Sequence, residues 1–145
     1  MRVLGIDPGI TTGYALYDSQ AKSYKTLQVD TTRMRMAYET LRAFRPDELA
    51  YEDFKHRPNL MKAELHSVKV IAITELYAES HLVPVKAKFL PGYAKKFWTD
   101  AKIKQLELWE PGKPHAMDAL RVLLCYLDDD PQWFRTVLPS LKPRP

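Results

Sequence analysis

The sequence predicts an α/β domain built on a mixed sheet of five strands, the first three antiparallel, flanked by helices. Three observations predict it. The chain opens on an almost wholly apolar segment containing Val3, Leu4 and Ile6, as expected of a central strand covered on both faces. Two more short segments with strand character follow, separated by gaps too short for a crossover, which favours hairpin pairing. Beyond residue 31 helical and extended patterns alternate, the mark of helices packed on a sheet.

Each element has a local reason. Residues 2–7 form the first strand, and Pro8 and Gly9 turn the chain. Residues 12–17 and 24–29 form the second and third strands. Thr31 or Thr32 is placed to cap a helix over residues 34–44, which Pro46 ends. Residues 49–52 form a fourth strand, and the helix before it allows it to lie parallel to the first. Residues 54–60 are a polar, basic loop. The longest helical pattern spans 61–80, with Leu65, Val68, Ile71, Ala72, Leu76 and Ala78 as its buried positions. Residues 82–85 read as a fifth strand, at an edge because of Pro84. Residues 87–100 are ambiguous, with a break at Pro91 and Gly92, and 101–108 are helical. After a loop over 110–114 a final helix covers 115–127. The domain spans residues 1–130. Residues 131–145, with four prolines, form a tail expected to be poorly ordered.

Composition narrows the class. A chain of 145 residues suits one domain and buries roughly 68–70% of its unfolded surface. No apolar run approaches the roughly 18 residues of a membrane span, so no membrane partner is expected. Asp7 and Pro8 interrupt the first apolar stretch, which does not fit a signal peptide, and a cytoplasmic protein is expected. The lone Cys125 excludes an internal disulfide and a cysteine-built zinc site. The net charge of +4 is mild, but it is concentrated: residues 86–104 carry six lysines against one aspartate. A locally basic surface suits a polyanionic partner.

Chemistry is suggested by four residues. Asp7 ends the first strand and Glu52 the fourth, so parallel pairing would project both carboxylates at the same end of the sheet, where open α/β sheets bind ligands. His115 and Asp118 stand three apart at the start of the final helix and share a face. Taken singly, each has a plain structural reading: an acid at a turn, a surface pair, a helix start stabilised by Pro114 and Asp118. Together they would repel, by roughly 4 kcal/mol for two charges about 4 Å apart at an effective dielectric near 20. A divalent cation relieves that repulsion. Oxygen ligands suit Mg2+ or Mn2+, and the imidazole favours Mn2+ modestly. Two ions about 3.5–4 Å apart would support in-line phosphodiester hydrolysis. In this reading Asp7 bridges the ions, Glu52 and Asp118 hold one each, and His115 is a ligand or a proton handler.

The opening VLGIDPGITTGYALYD and the closing PHAMDALRVLLCYL resemble the RuvC-like Holliday junction resolvases of the RNase H-like superfamily. Asp7, Glu52, His115 and Asp118 match that family's acidic set in order and type. The resemblance implies an RNase H-like fold, a Mg2+- or Mn2+-dependent endonuclease of DNA recombination and repair, a four-way DNA junction as substrate, and a homodimer. The segment after Glu52 and residues 86–108 depart from bacterial RuvC, and the chain resembles a shortened, viral-type branch, in which case it would act in the host cytoplasm. Alternatives are a related nuclease of structured RNA or other branched DNA, and a non-catalytic nucleic-acid-binding module.

Candidate nucleic-acid contacts follow. Lys86, Lys88, Lys95, Lys96, Lys102 and Lys104 are interleaved with aromatics that could stack on unpaired bases. Of these residues, Lys95 and Lys96 are assigned to DNA, and Phe97 and Trp98 to the core. Lys55 and Arg57 could guide a strand towards the metals or simply line a surface loop. Phe54 could wedge an unstacked base, as the resemblance implies, or pack in the core. The helix over 61–80 is, by the same resemblance, the dimer interface, though its apolar residues could serve the monomer alone.

Overall fold

The computed structural model describes residues 1–128 and 142–143. Five main strands, β1 (Arg2–Asp7), β2 (Thr11–Asp18), β3 (Ser23–Asp30), β4 (Glu48–Glu52) and β5 (Val85–Phe89), are joined by a two-residue β6 (Lys142–Pro143). The helices are α1 (Met34–Phe44), α2 (Lys62–His81), α3 (Tyr93–Phe97), α4 (Asp100–Gln105) and α5 (Pro114–Asp128). The sheet order is β5-β4-β1-β2-β3-β6. β1, β2 and β3 pair antiparallel, while β4 runs parallel to β1 and β5 parallel to β4. The predicted mixed sheet, its first three strands antiparallel and helices flanking it, is the one observed.

β1 lies at the centre because its side chains feed both faces. Val3 joins a cluster with Leu120, Leu123 and Leu124 of α5. Leu4 and Ile6 join the opposite cluster, with Leu41 of α1 and Ile71 of α2. Every one of these side chains is at least nine-tenths buried. The alternation of a strand thus divides one apolar run between two helical layers.

Four expectations are corrected. Neither Thr31 nor Thr32 caps α1, whose N-cap is Arg33 without a side-chain bond. The Thr31 hydroxyl instead donates to the Gly9 carbonyl at 2.7 Å and meets Thr12 at 2.8 Å, closing the β1–β2 turn. On α2, the buried residues are Val70, Ile71, Thr74, Tyr77 and Ala78. Leu65, Ala72 and Leu76 face outward, and Val68 is only half-buried. Ile71 and Ala78 are buried as predicted, but apolar residues encircle this helix, and packing against α1 buried Val70, Thr74 and Tyr77 in place of Leu65, Ala72 and Leu76. β5 begins at Val85, three residues later than predicted. Pro84 stays outside it, its carbonyl accepting from the Leu49 N–H at 3.0 Å. Lys86 and Lys88 alternate with Val85, Ala87 and Phe89, a two-residue period hidden by the lysines. Phe97, assigned to the core, is 48% exposed. The expectation for residues 131–145 falls outside the described residues, apart from β6.

Candidate metal centre and active site

Asp7 and Glu52 reach the same end of the sheet by register. Ile6 pairs with Tyr51 across the parallel β1–β4 ladder, so the two following carboxylates emerge together. Asp7 is fixed by its turn: Thr12 Oγ1 donates to the Gly9 carbonyl at 3.0 Å, and Thr31 seals the same loop.

α5 delivers the other two groups. It crosses β1, β2 and β4 with its N-terminus over the site. Gly13 of β2 makes this approach possible, because a Cβ there would lie 1.8 Å from the His115 carbonyl oxygen. His115 Nδ1 comes to 3.2 Å from Asp7 Oδ2. One ligand atom from each of Asp7, His115 and Asp118 lies within 4.8 Å of the others. Glu52 is not in that triad, but it is close enough that Asp7 and Asp118 perturb its ionisation.

The electrostatics bear the mark of crowding. Asp7 is pushed up to about 6, first by burial and then by the Asp118 charge, against the opposing hydrogen bond and charge of His115 and the charge of Lys95. Glu52 is pushed up to about 7, again by burial first and then by Asp7. A hydrogen bond from the Gly92 backbone N–H and the charge of Lys95 pull Glu52 the other way. Gly92 has φ +77°, a left-handed conformation that side chains resist. That φ, which glycine adopts without strain, aims the N–H at Glu52.

Asp118 is held between two cations. Lys95 Nζ lies 3.1 Å from Oδ2 and Arg121 Nη1 2.5 Å from Oδ1. The Arg121 side chain is only 5% exposed. It also pairs with Asp100 through Nη2 and donates from Nε to the Trp98 carbonyl at 2.8 Å. Sequence reasoning missed Arg121. The available signal was a charged residue inside the apolar run of the last helix, which only a buried partner could justify.

The donor set fits a divalent cation. Two carboxylates and an imidazole converge on one partly buried place with Glu52 near enough to feel their charge, and Asp7 and Glu52 resist ionisation unless positive charge joins them. These are the groups that Mg2+ and Mn2+ accept.

The predicted nucleic-acid residues scatter more widely. Lys95 is at the site. Lys96 and Lys55 are exposed, with no ion pair among the described residues, and so is Lys86. Lys102 donates to the Phe97 carbonyl at 2.8 Å, and Lys104 sits 4.8 Å over the Trp109 ring. Lys88 pairs with Glu75 at 2.6 Å on the α2 side, and Arg57 pairs with Glu64. Phe54 is half-buried against the α1–α2 cluster, yet it also lines a cleft of about 330 Å3 with Glu52, Lys55 and Arg57. Trp98 is buried, as expected.

No established protein-family profile matches the chain. A sequence relative is the crossover junction endodeoxyribonuclease RuvC of Syntrophomonas wolfei, 29% identical over 154 aligned positions that cover 88% of each protein. Thermus thermophilus RuvC in complex with a Holliday junction substrate has a similar structure, with a TM-score of 0.62 at 24% identity over 86% of this chain and 91% of that one. A second Thermus thermophilus RuvC structure gives the same TM-score at 23% identity, covering 93% and 96%. In sequence and in fold, over most of its length, the chain is RuvC-like.

Proposed function

We propose that the chain is a divalent-metal-dependent endonuclease that cleaves four-way DNA junctions by phosphodiester hydrolysis. The observation that carries this reading is the convergence of Asp7, His115 and Asp118, with Glu52 beside them, at the carboxyl end of β1 and β4. The likeness to a crossover junction endodeoxyribonuclease supplies the substrate.

In this reading Asp7, Glu52 and Asp118 hold the cations, Mg2+ or Mn2+, two per site. Bound cations supply Lewis-acid stabilisation of charge at phosphorus and ease deprotonation of water. Asp7, the most enclosed of the set and hydrogen-bonded to His115, would be the best-positioned of these ligands. His115 keeps its Nδ1 on Asp7, which orients the ring. That leaves Nε2 to ligate or to move a proton. Lys95 contributes positive charge beside Asp118, where a scissile phosphate would dock.

The chain acts as a C2 homodimer, because a junction needs two cuts and a two-fold pair of sites provides them. The outward Leu65, Ala72 and Leu76 of α2 supply an apolar surface for that pairing.

Incubation with synthetic four-way junctions and Mg2+ or Mn2+ tests the function. Paired symmetric nicks are expected, and Asp7→Asn should lower the rate at least about a hundredfold while junction binding persists. Equal cutting of linear duplex, preference for structured RNA, or no cutting with either metal would refute the assignment.

A further inference from the structure

α3 has an unusual surface. Its inward face is Ala94, followed by Trp98 just past its end, both buried. Its outward face carries Tyr93 and Phe97, one helical turn apart, 43% and 48% exposed. A short surface helix would ordinarily put polar residues there. The two rings are also organised. Tyr93 stacks on half-buried Phe89 with centroids 5.6 Å apart and planes 13° from parallel, and Phe97 lies 4.9 Å further on.

This helix is tethered to the catalytic groups. The Gly92 N–H just before it bonds Glu52, Lys95 within it pairs with Asp118, and the Trp98 carbonyl just after it accepts from Arg121. The rings are thus held at a set place relative to the site. Lysines outnumber acids around them, although Asp128 also lines a cavity beside Phe97. Lys96 is exposed, and Lys102 has no carboxylate partner among the described residues. The only acid from residue 90 to 104 is Asp100, and Arg121 neutralises it. The cavity beside Phe97 has a volume of about 400 Å3 and is lined by Trp98, Lys102 and Leu106 among others.

We propose that Tyr93 and Phe97 form a stacking platform for unpaired DNA bases beside the active site, an inference that rests on reading the chain as a DNA nuclease. Exposed rings with unpaired lysines meet the two needs of a single strand: faces for its bases and cations for its phosphates. An acidic or purely apolar protein partner would use only one of the two. Stacking is indifferent to base identity, so the platform would hold strands opened at a branch without choosing their sequence.

The test measures binding in metal-free buffer, apart from cleavage. The probes are fluorescent oligothymidylate and a fully paired linear duplex, with the full chain. Tyr93→Ala/Phe97→Ala is expected to weaken single-strand binding about 10- to 100-fold, change duplex binding less than about twofold, and leave the salt slope unaltered. Lys96→Ala is expected to weaken both and to lower the salt slope by about one. A second pair, Tyr93→Leu/Phe97→Leu, keeps the apolar surface without rings and should lose single-strand binding as well. Retained binding by the leucine pair, equal loss on both probes, or no single-strand binding by the unaltered chain would overturn the platform. Ring-dependent single-strand binding by a chain that cuts no junction would overturn the nuclease assignment and leave the platform standing.

Discussion

Asp7 and Glu52 are acids that the fold keeps partly protonated. Their values are raised from 3.8 to about 6 and from 4.5 to about 7. Folding therefore takes up protons between about pH 4 and 7, and the metal-free protein loses stability as pH rises through that window. Below about pH 3 both groups are protonated folded or unfolded, and their penalty vanishes. Thermal melts of the metal-free chain should show a melting temperature several degrees lower at pH 7.5 than at pH 4.5, and Asp7→Asn should flatten that slope. Added Mn2+ should restore stability mainly at the alkaline end, because metal binding displaces these protons. Arg121 acts one step further out. Its guanidinium fixes one oxygen of Asp118 and ties that residue to Trp98 and Asp100. Arg121→Met should lower kcat about 10- to 100-fold with KM for the junction little changed. Arg121→Lys should rescue poorly, since an ammonium lacks the fork that spans two carboxylates.

α5 shows how a single position governs the placement of an element. The helix lies against β2 because Gly13 presents only backbone to His115. Gly13→Ala should cost at least about 1–3 kcal/mol in a denaturant titration, because the new methyl would have to displace main chain rather than a pliable side chain. Cleavage should fall further than stability, since the displaced residue is His115 itself. The elements differed in how much of them could be read in advance. β1, α1 and α5 were readable because their apolar residues lie on the faces they bury: Met34–Phe44 is the predicted span itself. Asp7, Glu52, His115 and Asp118 were readable because each sits where an element starts or stops, and the strand pairing follows from the connections. Beyond Ile71 and Ala78 the buried face of α2 was not, since apolar residues encircle that helix and its neighbours choose among them. The tether of α3 to the site was not either, because contacts such as Lys95 with Asp118 join residues far apart in sequence through a segment with weak periodicity of its own.

For the whole molecule, the apolar face that α2 turns away from the core is the surface to test for pairing. Met61, Leu65 and Leu76 are all exposed, and Ala72 continues the stripe. Leu65→Glu/Leu76→Glu should convert a dimer to a monomer in sedimentation velocity runs, with the monomer's melting transition little altered because neither residue belongs to the core. Junction cleavage by that variant should yield single, unpaired nicks. The sheet itself poses another question of assembly. β5 forms one margin, and Lys86 and Lys88 along it discourage a foreign strand from adding there. At the opposite margin β3 is met by Lys142 and Pro143. Those two residues occupy hydrogen-bonding groups on β3 that would otherwise be open to any extended chain, and Pro143 has no N–H with which to extend the ladder. Shortening the protein to residue 130 should therefore leave catalytic chemistry intact but bare the Ser23–Tyr24 end of that margin, and light scattering at high concentration should record more self-association than the full chain shows.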